Sequence, residues 1–171
     1  MKLYHFSENP DIQRFVPRQL PYRLHEPAMV WAIDERRACN YYFPRDCPRV
    51  CFWTEAETTA EDRERFFGFS RASHIVAVEA GWLDRIRDAK LYRYAFEPGP
   101  FESYDGNAGY YVARHEVEPA SVERLDDCLG LLAAAGVEVR VTPSLHPLKE
   151  ALPASTVNFS MIRMANARPE P

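Results

Sequence analysis

The chain has 171 residues, 46% of them hydrophobic and 27% charged, with a formal net charge of −4 at pH 7. That length predicts one domain, expected over residues 1–164 and followed by a frayed polar tail at 165–171. The composition excludes a disordered chain, and no apolar run approaches the ~20 residues of a membrane helix, because the longest, Leu129 to Val137, is broken by Gly130 and Gly136.

Lys2 to Phe6 reads as a first strand, with no sustained apolar stretch behind Lys2 of the kind a signal peptide carries, so the expected compartment is the cytoplasm. Residues Ser7 to Pro27 contain four prolines and few periodic apolar positions, which predicts a long ordered loop. Ala28 to Ile33 reads as a second strand. Asp34 then caps a short helix whose Ala38, Tyr41 and Tyr42 share a face, and Pro44 ends it. Arg49 to Thr54 reads as a third strand. Thr58 and Glu61 have capping-box spacing for a polar helix that stops at Gly68.

His74 to Ala80 reads as a strand, Gly81 to Arg87 as a short helix, and Lys90 to Phe96 as a strand with Tyr92, Tyr94 and Phe96 on one face. A loop rich in Pro and Gly leads to a strand over Tyr110 to Glu116. From Pro119, Val122, Leu125, Leu129 and Leu132 repeat at helical spacing up to Gly136. Val137, Val139 and Val141 alternate with polar residues as a half-exposed strand, and short elements over Leu145 to Leu152 and Thr156 to Ile162 close the chain. Strands mixed irregularly with short helices predict an α+β fold with mixed, largely antiparallel sheets.

Few patterns in the sequence carry chemistry. With 7 glycines and neither a dinucleotide nor a P-loop glycine motif, bare-backbone phosphate cradles lose their prior. With 21 Lys and Arg against 25 Asp and Glu, nucleic acid is a possible partner that the overall charge does not favour. Cys39, Cys47 and Cys51 lack the spacing that brings two sulfurs onto one zinc, so buried thiols are expected and no metal. Cys-His catalysis through Cys47 or Cys51 is the alternative reading, since a thiolate near Arg45 and Arg49 would be acidified.

His5 and Ser7, two residues apart, project from one face of the first strand, ~7 Å apart. A core histidine bonded to a backbone carbonyl is the alternative for His5. Tyr41 and Tyr42 are either the buried face of their helix or rings available to stack on a flat ligand. In Phe43-Pro44-Arg45-Asp46-Cys47-Pro48-Arg49, two prolines stiffen a loop with two guanidiniums, an anion clamp that Arg18 could join and that Asp46 could neutralise. A partner's acidic segment or a free anion would suit that clamp. His115 and Glu116 end a strand on opposite faces, and the sequence does not choose between them. Glu79, Glu97 and Glu102 are further acids, read mostly as solvated surface.

The runs Leu3-Tyr4-His5-Phe6-Ser7, Val30 through Tyr42 and Phe43 to Arg49 are similar to a bacterial family of uncharacterised proteins, through most of the chain. More distantly, the N-terminal third resembles ADP-ribosyltransferases and RNA 2′-phosphotransferase-like proteins. That resemblance implies an enzyme using NAD or another phosphorylated nucleotide. In it, His5 would bond the adenosine ribose with support from Ser7, Tyr41 or Tyr42 would stack on nicotinamide, and Glu116 would be the acid beside the ribose. A carboxylate stabilises the oxocarbenium-like centre that forms as nicotinamide departs. The third motif of those proteins is not recognisable here.

Overall fold

The computed structural model describes residues 1–170. In chain order the elements are β1 (Leu3–Ser7), β2 (Val30–Asp34), β3 (Arg49–Trp53), α1 (Ala60–Phe67), β4 (His74–Glu79), α2 (Leu83–Asp88), β5 (Leu91–Phe96), β6 (Glu102–Asp105), β7 (Tyr110–Ala113), β8 (Ser121–Leu125), α3 (Cys128–Ala134), β9 (Glu138–Thr142), α4 (His146–Ala151) and β10 (Asn158–Ile162). Short 3-10 turns lie at Ala38–Tyr41, Ala80–Trp82, Leu152–Ala154 and Met164–Asn166. The class is the expected α+β, with two mostly antiparallel sheets and short helices. Among the described residues no helix is long and apolar enough to cross a membrane.

The chain divides into two compact units, one of Met1–Tyr41 with Lys90–Asp126, the other of Tyr42–Ala89 with the chain from Asp127 onward. The first unit holds a six-stranded sheet in the order β6-β7-β2-β1-β5-β8, antiparallel throughout. Alternation sets its faces: Leu3 opposes Phe96 and His5 opposes Tyr94, so these side chains share a side. Leu3, Val30, Ala32, Tyr94, Phe96 and Ala113 form the core on that side, and Phe15 and Val117 cover it. The long loop from Ser7 is held by an antiparallel pair of backbone bonds between Phe15 and Val117 and another between Arg18 and Met29. It is ordered, as its proline content predicts.

The second unit holds a four-stranded sheet in the order β10-β3-β4-β9, in which β4 and β9 run parallel. Every residue of β3 and β4 is buried, the mark of central strands covered on both faces. Val50, Phe52, Ile75 and Ala77 meet Phe66 and Phe67 of α1 in this unit's core. α1 starts one residue later than its capping-box spacing suggests: Thr59, not Thr58, is the cap and accepts from the Asp62 amide. Gly68 ends the helix at φ 54, a left-handed conformation that glycine adopts without a Cβ penalty.

Three predicted elements need correction. The expected helix from Pro119 to Gly136 is a strand followed by a helix: β8 pairs with β5, and α3 begins only at Cys128, capped by Asp127. Val122 and Leu125 sit three apart and mimic helical spacing, but the open edge of β5 offers backbone partners, and Glu123 lies opposite Arg93 and pairs with it. β6 forms within the predicted Pro- and Gly-rich loop, pairing with β7 through an irregular register. β7 ends at Ala113, so His115 and Glu116 follow the strand.

Candidate functional site

The candidate residues divide between the two units. His5, Ser7, Arg18, Tyr41 and Glu116 belong to the first, and Tyr42, Arg45 and Arg49 to the second.

In the first unit the imidazole of His5 is half-buried at the edge of the core, 4.9 Å from the Phe15 ring. Its Nδ1 lies 3.1 Å from the carbonyl oxygen of Trp31, and because a carbonyl accepts, Nδ1 is the donor. The backbone-bonded arrangement foreseen as the alternative for His5 is therefore present. The reason lies in the sheet: β1 pairs with β2 at Leu3 and Tyr4 and with β5 along all five of its residues. Beyond Tyr4 the β1–β2 ladder stops, and the His5 side chain reaches the Trp31 carbonyl. Ser7 is buried, and its Oγ accepts from the Asn9 amide at 3.1 Å. The Tyr94 hydroxyl ties down the same turn, donating to the Asn9 carbonyl at 2.7 Å and accepting from the Ile12 amide at 3.1 Å.

Tyr41 approaches from the other side of the sheet. Its ring stacks on Phe6 at 6.2 Å and 12° between planes, and its hydroxyl lies 2.9 Å from that of Tyr110. Phe6 alternates with His5, so the imidazole and the tyrosine ring lie on opposite faces of the sheet, next to the point where the β1–β2 ladder ends. The Asp34 carboxylate accepts from the Arg37 amide at 2.8 Å and sets the turn before Tyr41, as its predicted capping role requires. A Cβ on Gly109 would stand 2.6 Å from Asp34 Oδ1, so a side chain there would disturb that turn.

Arg18 is exposed and holds Met29 through its backbone. Glu116 is exposed and ion-paired, with Arg14 Nε at 2.8 Å, while Arg14 also reaches Glu118 at 3.4 Å.

The sequence reading missed a second cluster on this unit. The Arg23 guanidinium sits 5.2 Å from the Trp31 ring centroid and 5.6 Å from that of Tyr104, and donates to the Tyr104 hydroxyl at 2.7 Å. Tyr104 in turn donates to Glu26 at 2.7 Å, and this bond, with Arg23 beside it, holds the Glu26 carboxyl below its ordinary range. Alternation places Trp31 on a strand face, but the residues that gather around it come from a loop and from the unforeseen β6.

In the second unit the Phe43 to Arg49 loop does not present two guanidiniums together. Arg45 is exposed, whereas Arg49 is 2% exposed, its Nη1 donating to the Cys47 carbonyl at 2.7 Å and its guanidinium 5.4 Å from the Phe43 ring centroid. Tyr42 is half-buried. Cys47 is buried, and burial pushes its thiol up to about 11 despite Arg49 and Arg85 nearby, which corrects the expectation of an acidified thiolate. All four cysteines are buried and in no disulfide. Glu79, expected among the solvated acids, is 5% exposed, and both its oxygens accept from the Arg168 amide, at 3.1 and 2.9 Å. Glu97, Glu102, His115 and Glu116 are exposed as expected. Among the described residues no group of three or more His, Cys, Asp and Glu is placed to hold a metal ion.

Neither a curated protein nor a solved structure matches the chain. A family model described as a family of unknown function, DUF6886, matches residues 4–167, and on that coverage the chain belongs to the DUF6886 family.

Proposed function

We propose that the first unit binds NAD or a related phosphorylated nucleotide where β1 and β2 part, and that the protein is an ADP-ribosyltransferase-like enzyme. The observation that carries this reading is the short β1–β2 ladder, with an imidazole on one side of the parting and an oriented tyrosine ring on the other. The Trp31 carbonyl fixes the tautomer: with the proton on Nδ1, the other ring nitrogen is an acceptor, the role a ribose hydroxyl needs. Ser7 shapes the turn after His5, and Tyr41, backed by Phe6 and tethered by Tyr110, offers a flat aromatic surface of the kind nicotinamide stacks on. Arg18, exposed on the long loop of the same unit, supplies a cation for a phosphate.

In such a reaction the bond between the ribose carbon and the nicotinamide nitrogen breaks, and its electron pair leaves with nicotinamide. The resulting oxocarbenium-like centre is taken by a nucleophile from water or an acceptor, which loses a proton. Glu116 is the carboxylate that would stand by that cation, exchanging its ion pair with Arg14 for the substrate. The competing role, a module gripping an anion or an acidic partner with Arg45 and Arg49, draws on Arg45 alone, because Arg49 is in the interior.

Isothermal titration with NAD tests the reading. Saturable heat at one site is expected, weakened by about tenfold or more in His5→Ala, a loss on the order of one charge-independent hydrogen bond to a buried ligand group. Absence of heat with NAD and with ADP-ribose, or an unchanged affinity in His5→Ala, would overturn it.

A further inference from the structure

The cluster around Trp31 has the make-up of a cation-binding site, and the chain's own Arg23 fills it. The Trp31 and Tyr104 rings meet edge to face, 4.8 Å apart at 69°, and Tyr110 backs the indole at 5.9 Å and 89°. The Arg23 guanidinium lies 5.2 and 5.6 Å from the Trp31 and Tyr104 centroids, within the ~6 Å reach of a cation–π contact. The Glu26 carboxylate closes the cage: Arg23 Nη1 donates to its Oε1 at 3.1 Å and to its Oε2 at 3.4 Å, and the Tyr104 hydroxyl donates to Oε1 at 2.7 Å. The Glu26 side chain is only 18% exposed, so its attraction for a cation is less screened by water than that of a surface acid.

Sheet and loop supply different walls. Trp31 lies on β2 opposite Val112, and Tyr110 shares that face of β7, so the sheet ladder fixes this side. Tyr104 comes from β6 at the register irregularity between Ser103 and Asp105. Arg23 and Glu26 belong to the loop that the backbone bonds between Arg18 and Met29 close into a flap. Within it, Gln19 Nε2 donates to the Leu24 and Glu26 carbonyls at 2.7 and 2.9 Å, and the Glu26 amide donates to the Arg23 carbonyl at 3.0 Å. These bonds hold Glu26 in place without the Arg23 guanidinium. Tyr22 and Leu24, on either side of Arg23, are exposed, so its side chain can leave the cage without drawing buried apolar neighbours into water.

We propose that Trp31, Tyr104 and Glu26 form a binding site for an alkylguanidinium, the end of an arginine side chain or a free small molecule of that kind, and that Arg23 is an internal occupant the ligand displaces. A guanidinium suits the site because its flat faces meet the rings while its edge donates to the carboxylate, whereas an ammonium has the charge without the plane. Arg23 competes from a short tether, at an effective concentration in the millimolar range, and so weakens the apparent affinity for any external cation. The site does not depend on nucleotide binding by the first unit.

Titration with butylguanidinium, followed through the Trp31 indole N–H resonance of the full chain, tests this. The chain has 3 tryptophans, and loss of one signal in Trp31→Leu identifies the resonance. A saturable shift is expected in Arg23→Ala, with affinity roughly tenfold weaker in the wild type, where the tethered guanidinium competes. Adding Glu26→Gln to Arg23→Ala is expected to weaken binding by about tenfold, and butylammonium is expected to bind at least about threefold more weakly than butylguanidinium. An end-capped Gly-Arg-Gly peptide separates the sources: tighter binding than butylguanidinium assigns the site to an arginine of a partner chain, and equal or weaker binding assigns it to a small alkylguanidine. Arg23→Gln, titrated alongside, guards against disturbance of the flap by the truncation to alanine. No saturable shift in either Arg23 variant, equal affinity in the wild type and Arg23→Ala, or an affinity indifferent to Glu26→Gln would overturn the proposal.

Discussion

At the scale of single residues, burial decides more than residue type does. Cys47 has two arginines near it, a setting that read alone predicts a reactive thiolate, yet the cost of placing a charge out of water outweighs them and the thiol is pushed up to about 11. Cys39 behaves alike, raised to about 11 by burial. A raised thiol pKa favours the folded state below the ordinary thiol range near ~8.5, and that contribution is lost as pH rises toward the folded value. Stability in urea is therefore expected to decline between about pH 9 and about pH 11, and less so in Cys47→Ala. At about pH 8 a disulfide reagent is expected to label these thiols only after unfolding, and rapid labelling of Cys47 in the folded chain would contradict the burial argument. The same balance separates Arg49 from Arg45. They are four positions apart in one loop, but the first residue of a central strand faces inward and a residue between two prolines at a turn faces out.

At the scale of elements, local signals succeed where they are redundant. α1 has a cap, acidic residues in its first turn and a stop glycine, and the sequence reading differs from the structure by one residue at the cap. Thr59→Ala is expected to cost about 1 kcal/mol, and up to about 2 because the same hydroxyl lies 3.3 Å from that of Thr156, measured as a shift in the urea midpoint at unchanged slope. Where a single signal stands alone, tertiary pairing overrides it. Val122 and Leu125 are equally compatible with a helix face and with a strand, and the exposed edge of β5 decides in favour of β8. The parting of β1 from β2 is also an element-scale event: nothing in the residues Leu3 to Ser7 says that the ladder stops at Tyr4.

At the scale of the whole molecule, chain connectivity makes each unit dependent on distant sequence. β1 and β2 come from the first 34 residues, but their outer partners β5 and β7 lie at Leu91–Phe96 and Tyr110–Ala113. The sheet of the second unit likewise needs β9 and β10 beside β3 and β4. Residues 1–89 expressed alone are therefore expected to show no cooperative thermal transition by circular dichroism, because both sheets would be left with open central strands. The sequence by itself determined the α+β class, most of the strands, the caps and turns and the burial of the thiols, since these rest on periodicity and local hydrogen bonding that a few adjacent residues supply. Only the tertiary structure decided that Phe15 covers His5, that Tyr41 comes from the opposite face, that Arg49 and Glu79 are interior and that His146 holds the segment after β10. Each of these depends on which remote backbone lies alongside, and pairing between segments tens of residues apart is fixed by the total burial of the folded chain, a quantity no local stretch contains.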